Sequence, residues 1–480
     1  MKVLHVCSEV FPLLKTGGLA DVTGALPEAL NKLNIENKLL VPGFPAFMAG
    51  LSNKKLLCDL GDKFGASKVE IYAGQLNNID AYVINAPELY DRHGNPYADS
   101  NGVAYADNYR RFALLAWVAA KLVNGADAEW LADVVHGHDW HAGLTPAYIK
   151  AQAIYDGGRQ VKSVLTVHNL AYQGVFPAEI YHELGLPNHF FSMDGMEFFS
   201  QVSFLKAGLF FADEITTVSP TYAKEIQTAE QGCGLQGLLQ SRSETLSGVL
   251  NGVDPKVWSP AQDTTTVAKY SLSKLDGKKI CRENLQKHTG LKIQNEKPIF
   301  VIVSRLTEQK GLHLVVEAIH TILDQGGQIA VLGSGEKPIE EAFIRLAKHY
   351  PDSITVQLGY DEVHAHRLIA GGDVILVPSR FEPCGLTQLY GMAYGTLPLV
   401  HRVGGLRDTV TDTSLENLVE NLASGFVFDE FNLTDFNQAI KRAFALFGFA
   451  DGWAKVRRKG MEQNFSWDIA AEKYLEIYQR

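Results

Sequence analysis

Five stretches of this 480-residue chain set glycines beside cations, carboxylates or histidines at spacings that suit chemistry. The first, KTGGLADV, runs from Lys15 to Val22 and follows a β-branched run. Gly17 and Gly18 let the backbone come close to a ligand, and a helix starting near Leu19 would turn its amides toward an anion. Lys15 adds a full positive charge, and Asp21 lies within the same turn. A plain glycine turn with a solvated lysine fits these residues equally. No GK[ST] follows four variable residues, so this is not a Walker loop, and the G-x-G-x-x-G dinucleotide fingerprint is missing there as well.

The second stretch, VVHGHDWHAG, crowds His136, His138, Asp139 and His141 at the end of a strand pattern. H-x-H on a strand puts both rings on one face, yet the spacing matches no common zinc signature. Polar strand-end groups bonded to a neighbouring loop, or contacts to a hydroxyl-rich sugar, account for it better, so no metal is assigned. The third, LTVHNLAYQG, ends a hydrophobic strand in His168 and Asn169, either a core histidine or a pair at the ligand-binding end of a sheet. In the fourth, VIVSRLTEQKG, Arg305 and Lys310 fall between a strand and a helix, where two cations match a pyrophosphate: Arg305 can fork two oxygens and Lys310 supplies a point charge. The fifth, VPSRFEPCGLTQLYGMAYGTLPLVHRVGGLRDTV, places Glu382, Pro383, Cys384 and Gly385 after a buried strand, with Gly404 and Gly405 at the next turn. This arrangement suits a nucleotide sugar, with helix amides on phosphate and Glu382 on ligand hydroxyls. An ion pair of Glu382 with Arg380 is the structural alternative, and Cys384 reads as a small buried residue rather than a nucleophile.

Elements that could hold these groups alternate along almost the whole chain, and short strands separated by helical patterns indicate an α/β protein with parallel sheets. Strand patterns fall at Val3 to Cys7, Lys38 to Val41, Ala81 to Asn85, Asp133 to His136, Ser163 to Val167 and Glu214 to Val218. Phe112, Leu115, Ala119 and Val123 recur at helical spacing within Tyr109 to Val123. Pro27 is expected to kink or restart the first helix. The pattern weakens over 241–297 and restarts with PIFVIVSR, QIAVLGSGE, SITVQLGY, DVILVPSR and LPLVHRV. The expected domains are therefore 1–245 and 246–460, each a doubly wound Rossmann-like fold, followed by a helix in 461–480 that could pack back on the first. Ligands of such sheets bind at the carboxyl ends of the strands, here expected to border a cleft.

Composition narrows the function. With Lys plus Arg at 44 and Asp plus Glu at 54, the net charge of −10 disfavours nucleic acid and anionic membranes. Five dispersed cysteines without a C-x-x-C pair suit a reducing cytoplasm, and no run of the sequence qualifies as a membrane span or signal h-region.

Taken in order, KTGGLADV, HDWHAG, TVHNLAYQG, VLNGVD, SRLTEQKG and SRFEPCGLTQLYGMAYG resemble bacterial glycogen synthase and plant starch synthase across nearly the whole chain. The resemblance implies a GT-B glycosyltransferase that moves glucose from ADP-glucose to the non-reducing end of an α-1,4-glucan with retention of configuration. It implies no cofactor beyond the donor substrate. Carried over by position, Lys15, Arg305 and Lys310 meet the donor phosphates, His168 meets the sugar and Glu382 stands near the transferred glucose. Gly17, Gly18, Asp21, Asp139, Asn169, Asn251, Cys384 and Gly385 line the site, Tyr360 packs on the adenine, and Tyr97 serves the loop more than the ligand. Many retaining GT-B enzymes carry a second glutamate eight residues after the first; here that residue is Tyr390, which weakens the expected ribose contact and argues against the animal UDP-glucose enzymes. Without a Ser/Arg-rich transit peptide, the bacterial branch fits better than the plastid one. The alternatives are a glucan phosphorylase, which would need pyridoxal phosphate; a nicotinamide dehydrogenase, disfavoured by the missing fingerprint; and a catalytically dead glucan-binding protein, disfavoured because the cations and Glu382 are present.

Overall fold

The computed structural model describes residues 1–480, which divide into two compact units: Met1–Gly252 with Trp467–Arg480, and Val253–Ser466. In the first unit the strands are β1 (Lys2–Val6), β2 (Glu36–Pro42), β3 (Ser52–Asp59), β4 (Glu70–Leu76), β5 (Ile79–Asn85), β6 (Val134–His138), β7 (Lys162–Val167), β8 (Val175–Pro177), β9 (Glu197–Phe198), β10 (Gln201–Ser203), β11 (Glu214–Thr217) and β12 (Leu246–Gly248). Nine of them form one sheet in the order β12-β11-β7-β6-β1-β2-β5-β4-β3. From β12 to β5 all neighbours are parallel, while β4 and β3 extend the edge as an antiparallel meander. The parallel strands are covered on both faces and so read as near-continuous apolar runs; β3 carries exposed polar residues, as an edge strand must.

Helix Asn108–Lys121 covers one face and buries Phe112, Leu115 and Ala119 completely. Helix Gly18–Lys32 runs through Pro27 without the expected break. Its buried face, including Val22, Leu26 and Leu30, packs on Trp467, Tyr474 and Ile477 of the last helix, and this burial compensates for the one amide bond that proline removes.

The second unit has six parallel strands, β13 (Ile299–Val303), β14 (Gln328–Gly333), β15 (Ile354–Leu358), β16 (Val374–Val377), β17 (Leu397–His401) and β18 (Phe426–Phe428), in the order β15-β14-β13-β16-β17-β18. The order reverses between β13 and β16, the switch point at which open parallel sheets leave a crevice for ligands. Both units are thus doubly wound and Rossmann-like.

The division between units falls after Gly252 rather than near 245, because β12 pairs in parallel with β11 and belongs to the first sheet. The return falls after Ser466, not at 461: Val253 N donates to the Phe465 carbonyl, so residues 461–466 stay with the second unit. No helix is long and apolar enough to cross a membrane, and all five cysteines are free.

Candidate functional site

In the first unit the groups singled out from the sequence stand beyond the carboxyl ends of parallel strands. The loop after β1 carries Lys15, Gly17 and Asp21. Lys15 Nζ lies 2.8 Å from Asp21 Oδ1 and 5.2 Å from the Phe11 ring centroid. Gly17 caps helix Gly18–Lys32 in an extended conformation, and space is open where its side chain would be.

The loop is held by a residue the motif reading passed over. Glu9, 3% exposed, accepts hydrogen bonds from Thr16 N (2.6 Å), Thr16 Oγ1 (2.5 Å), Gly17 N (3.2 Å) and the Tyr97 hydroxyl (2.5 Å). Tyr97 also lies 2.9 Å from Ser8 Oγ and stacks on His141 with centroids 4.6 Å apart. Tyr97 therefore fastens Glu9, and through it the glycine loop.

Asp139, just past β6, adopts φ +57°, a left-handed conformation that costs a non-glycine residue about 1–3 kcal/mol and that tends to be kept at functional sites. Its Oδ1 accepts the His168 amide at 2.7 Å, joining the ends of β6 and β7. Burial pushes the Asp139 carboxyl up to about 7 against the pull of the His168 and Asn169 amides. Asn169 Oδ1 accepts from Ala171 N at 3.0 Å, closing the turn after β7, and Asn251 is buried beyond β12.

Under these ends lies a histidine cluster. His5, His136 and His138 each offer a nitrogen within 4.8 Å of the others, an outline a metal could use. Their ring nitrogens are already hydrogen-bonded: His5 with Asn37 and His138, His136 with Tyr478 and Thr166, and His138 with His5 and His168.

In the second unit, Lys310 Nζ lies 2.5 Å from Glu382 Oε2, and the Ser379 hydroxyl donates to the same oxygen at 2.8 Å. The partner of Glu382 is therefore Lys310; Arg380 instead lies over Phe431, 4.5 Å from its centroid. The contact spans the loops after β13 and β16, at the switch point. Arg305 is exposed and its guanidinium donates to Gln309 Oε1 at 3.3 Å, leaving most of its fork open. Tyr360, after β15, is 70% exposed, whereas Cys384 is buried.

Gly404 shows why that turn needs glycine. Its φ is +43°, and a Cβ there would sit 2.0 Å from the Glu382 carbonyl oxygen. Gly405 N donates to that oxygen at 3.2 Å, so the turn after β17 seats the Glu382 backbone. The helices at these turns are short: Leu312–Glu317, Thr387–Ala393 and Gly404–Thr409. Tyr390 stacks on Trp258 at 3.8 Å and 6°, and Trp258 stacks on His366 at 3.9 Å and 12°.

With this geometry described, the comparisons with known proteins are specific. A model of the starch synthase catalytic domain matches residues 2–241, and a model of glycosyl transferases group 1 matches residues 284–452. A glycogen synthase of Francisella philomiragia subsp. philomiragia is 60% identical, the match covering 100% of this chain and 99% of that protein. One from Francisella tularensis subsp. novicida is 59% identical over 100% of this chain and 98% of that protein. Among solved structures, the catalytic domain of starch synthase IV from Arabidopsis thaliana, bound to ADP and acarbose, aligns with a TM-score of 0.91 at 30% identity, covering 100% of this chain and 99% of that one. Sucrose-phosphate synthase from Thermosynechococcus elongatus shares the fold at 16% identity and a TM-score of 0.60, covering 100% of this chain and 98% of that one.

Proposed function

The chain belongs to the glycogen and starch synthase family of GT-B glycosyltransferases, and from that premise we propose that it transfers glucose from ADP-glucose to the non-reducing end of an α-1,4-glucan, retaining the anomeric configuration. The observation that carries the reading is the Lys310–Glu382 contact at the β13/β16 switch point, with the open guanidinium of Arg305 on the same loop as Lys310. A nucleotide sugar brings a diphosphate for the cations and hydroxyls for the carboxylate. That a starch synthase of the same fold binds ADP and acarbose, a nucleoside diphosphate and a sugar, supports both halves.

In this reading Lys310 and Arg305 neutralise the diphosphate as the bond from anomeric carbon to phosphate oxygen breaks. Charge grows on that oxygen in the transition state, so the cations bind the transition state better than the ground state. The acceptor hydroxyl attacks from the face the diphosphate leaves; it forms the new glycosidic bond and passes its proton to the departing phosphate. Glu382 and Asp139 take sugar hydroxyls, His168 contacts the transferred glucose and Tyr360 covers the adenine. No metal or organic cofactor takes part, and the site is proposed to work in the cytoplasm on soluble donor and glucan.

The test is incubation with ADP-glucose and with UDP-glucose separately, glycogen as acceptor, following nucleoside diphosphate release. Release from ADP-glucose that depends on glycogen is the expected result. Release from UDP-glucose alone would overturn the donor assignment, and release from neither would overturn the activity.

A further inference from the structure

Four side chains on neighbouring parallel strands form one line of hydrogen bonds across the first sheet: Asn37 on β2, His5 on β1, His138 on β6 and His168 just after β7. His5 Nε2 lies 3.1 Å from Asn37 Oδ1, His138 Nε2 lies 3.4 Å from His5 Nδ1, and His168 Nε2 lies 3.1 Å from His138 Nδ1. One end of the line is fixed by backbone. Asn37 Nδ2 donates to the Ile35 carbonyl at 2.8 Å, the Pro27 carbonyl at 3.2 Å and Asn31 Oδ1 at 2.9 Å. Turned over, the amide would set its oxygen against two carbonyl oxygens, so Oδ1 is the atom that faces His5.

The rest follows from counting protons. His5 must donate from Nε2, and a neutral imidazole has only one N–H, so His5 Nδ1 is a bare acceptor. His138 must then donate from Nε2, which leaves its Nδ1 bare, and His168 must in turn donate from Nε2. Burial keeps the rings neutral: it lowers His5 to about 4 and holds His138 and His168 below the ordinary imidazole range. His136 stacks on His138 at 4.2 Å, but its own nitrogens bond the Tyr478 hydroxyl at 2.7 Å and Thr166 Oγ1 at 2.6 Å, so it does not branch the line.

We propose that Asn37 sets, through His5 and His138, which nitrogen of His168 carries the proton, so that His168 presents a bare Nδ1 and accepts a hydrogen bond from a sugar hydroxyl. Asn37, His5 and His138 are positioning residues in this scheme. The choice of ligand group rests on the reading that His168 faces the transferred glucose. With Nδ1 bare, the ring discriminates: a hydroxyl can donate to it, whereas a phosphate or ring oxygen has no proton to give.

The test uses the full chain labelled with ¹⁵N-histidine, with ring tautomers read from long-range ¹H–¹⁵N correlations and His168 assigned by the signal lost in His168→Gln. In the unmodified protein His168 is expected as the single Nε2–H tautomer; an Nδ1–H ring would overturn the proposal without any further variant. Asn37→Leu removes the anchor, and folded Asn37→Leu is expected to show His168 as a mixture of tautomers. His5→Phe breaks the line at a second point and serves if Asn37→Leu does not fold. A single unchanged Nε2–H tautomer in either folded variant would overturn the control by Asn37. Turnover with ADP-glucose and glycogen separates the two claims: a mixed tautomer should lower kcat/KM by about 3–10-fold, the scale of one neutral hydrogen bond. A mixed tautomer with unchanged kcat/KM would instead remove His168 from the sugar and leave the relay in place.

Discussion

The ammonium of Lys310 and the carboxylate of Glu382 stand 2.5 Å apart on the loops that follow β13 and β16, two adjacent parallel strands. Their side chains are 19% and 9% exposed, so neither charge is fully hydrated and each limits the cost of the other. If Lys310 serves a departing diphosphate, Lys310→Met should lower kcat by roughly 10²–10³, the scale for removing one preorganised donor to developing charge. It also strands Glu382 with Ser379 as its remaining donor, and the second unit should lose about 1–3 kcal/mol. Steady-state kinetics beside urea unfolding would measure both. Unchanged kcat in a folded variant removes Lys310 from the mechanism.

Arg305 separates catalysis from stability more cleanly. Its one side-chain partner is Gln309, at 3.3 Å, so Arg305→Ala should change unfolding by no more than about 0.5 kcal/mol, as for an ordinary surface substitution. Turnover should nevertheless fall by roughly 10²–10³. Arg305→Lys keeps the charge and loses the fork, and should recover only part of the rate. A variant as active as the parent would mean that this guanidinium does not meet the donor.

The glycine loop depends on Glu9 rather than on its own residues. Tyr97→Phe removes one donor to a buried carboxylate and should destabilise the first unit by about 1–3 kcal/mol. Because Thr16 and Gly17 still hold Glu9, the loop should persist in Tyr97→Phe, whereas Glu9→Ala releases it entirely. The expected pattern is a small rate loss in the first variant and a large one in the second, with limited proteolysis near Lys15 appearing only in Glu9→Ala. Equal proteolysis in both would show that Glu9 is not the fastening.

What could be read from the sequence had a local physical cause. Parallel strands buried on both faces leave apolar runs, and the charged or glycine residues that end those runs, Lys15, Arg305, Lys310 and Glu382, are conspicuous against them. The antiparallel strands β3 and β4 have no such signal, since a solvated face mixes polar residues into the pattern. Glu9 was invisible as a site residue because its partner Tyr97 is 88 positions away, and the partnership of Asp263 with His366 spans 103. The left-handed backbone of Asp139 carries no glycine to announce it, and the tie of Glu382 to Lys310 rather than to Arg380 depends on which two strands are neighbours.

The stack beneath Tyr390 gives a prediction in pH. Trp258 lies between the rings of Tyr390 and His366, and His366 Nδ1 is 2.7 Å from Asp263 Oδ2, which also accepts the Tyr394 hydroxyl at 2.7 Å. Burial works against charge on His366, but its hydrogen bonds to Asp263 and Glu362 outweigh burial and raise it from 6.5 to about 9. Burial likewise opposes the charge on Asp263, while His366, Tyr394 and Thr265 together hold its carboxyl well below the ordinary 3.8. A histidine raised on folding contributes stability that is complete below pH 6.5 and is lost as pH climbs through about 9. An acid lowered on folding contributes stability that is complete above 3.8 and is lost as pH falls below it. The pair therefore stabilises the second unit fully only between these limits, and unfolding free energy should decline by a few kcal/mol as pH rises from 6.5 to 9.5. His366→Gln should be less stable at pH 6.5 and show a shallower decline over the same range. If urea titrations of parent and variant give parallel slopes there, His366 is uncharged in the native stack, and Trp258 is held by packing alone.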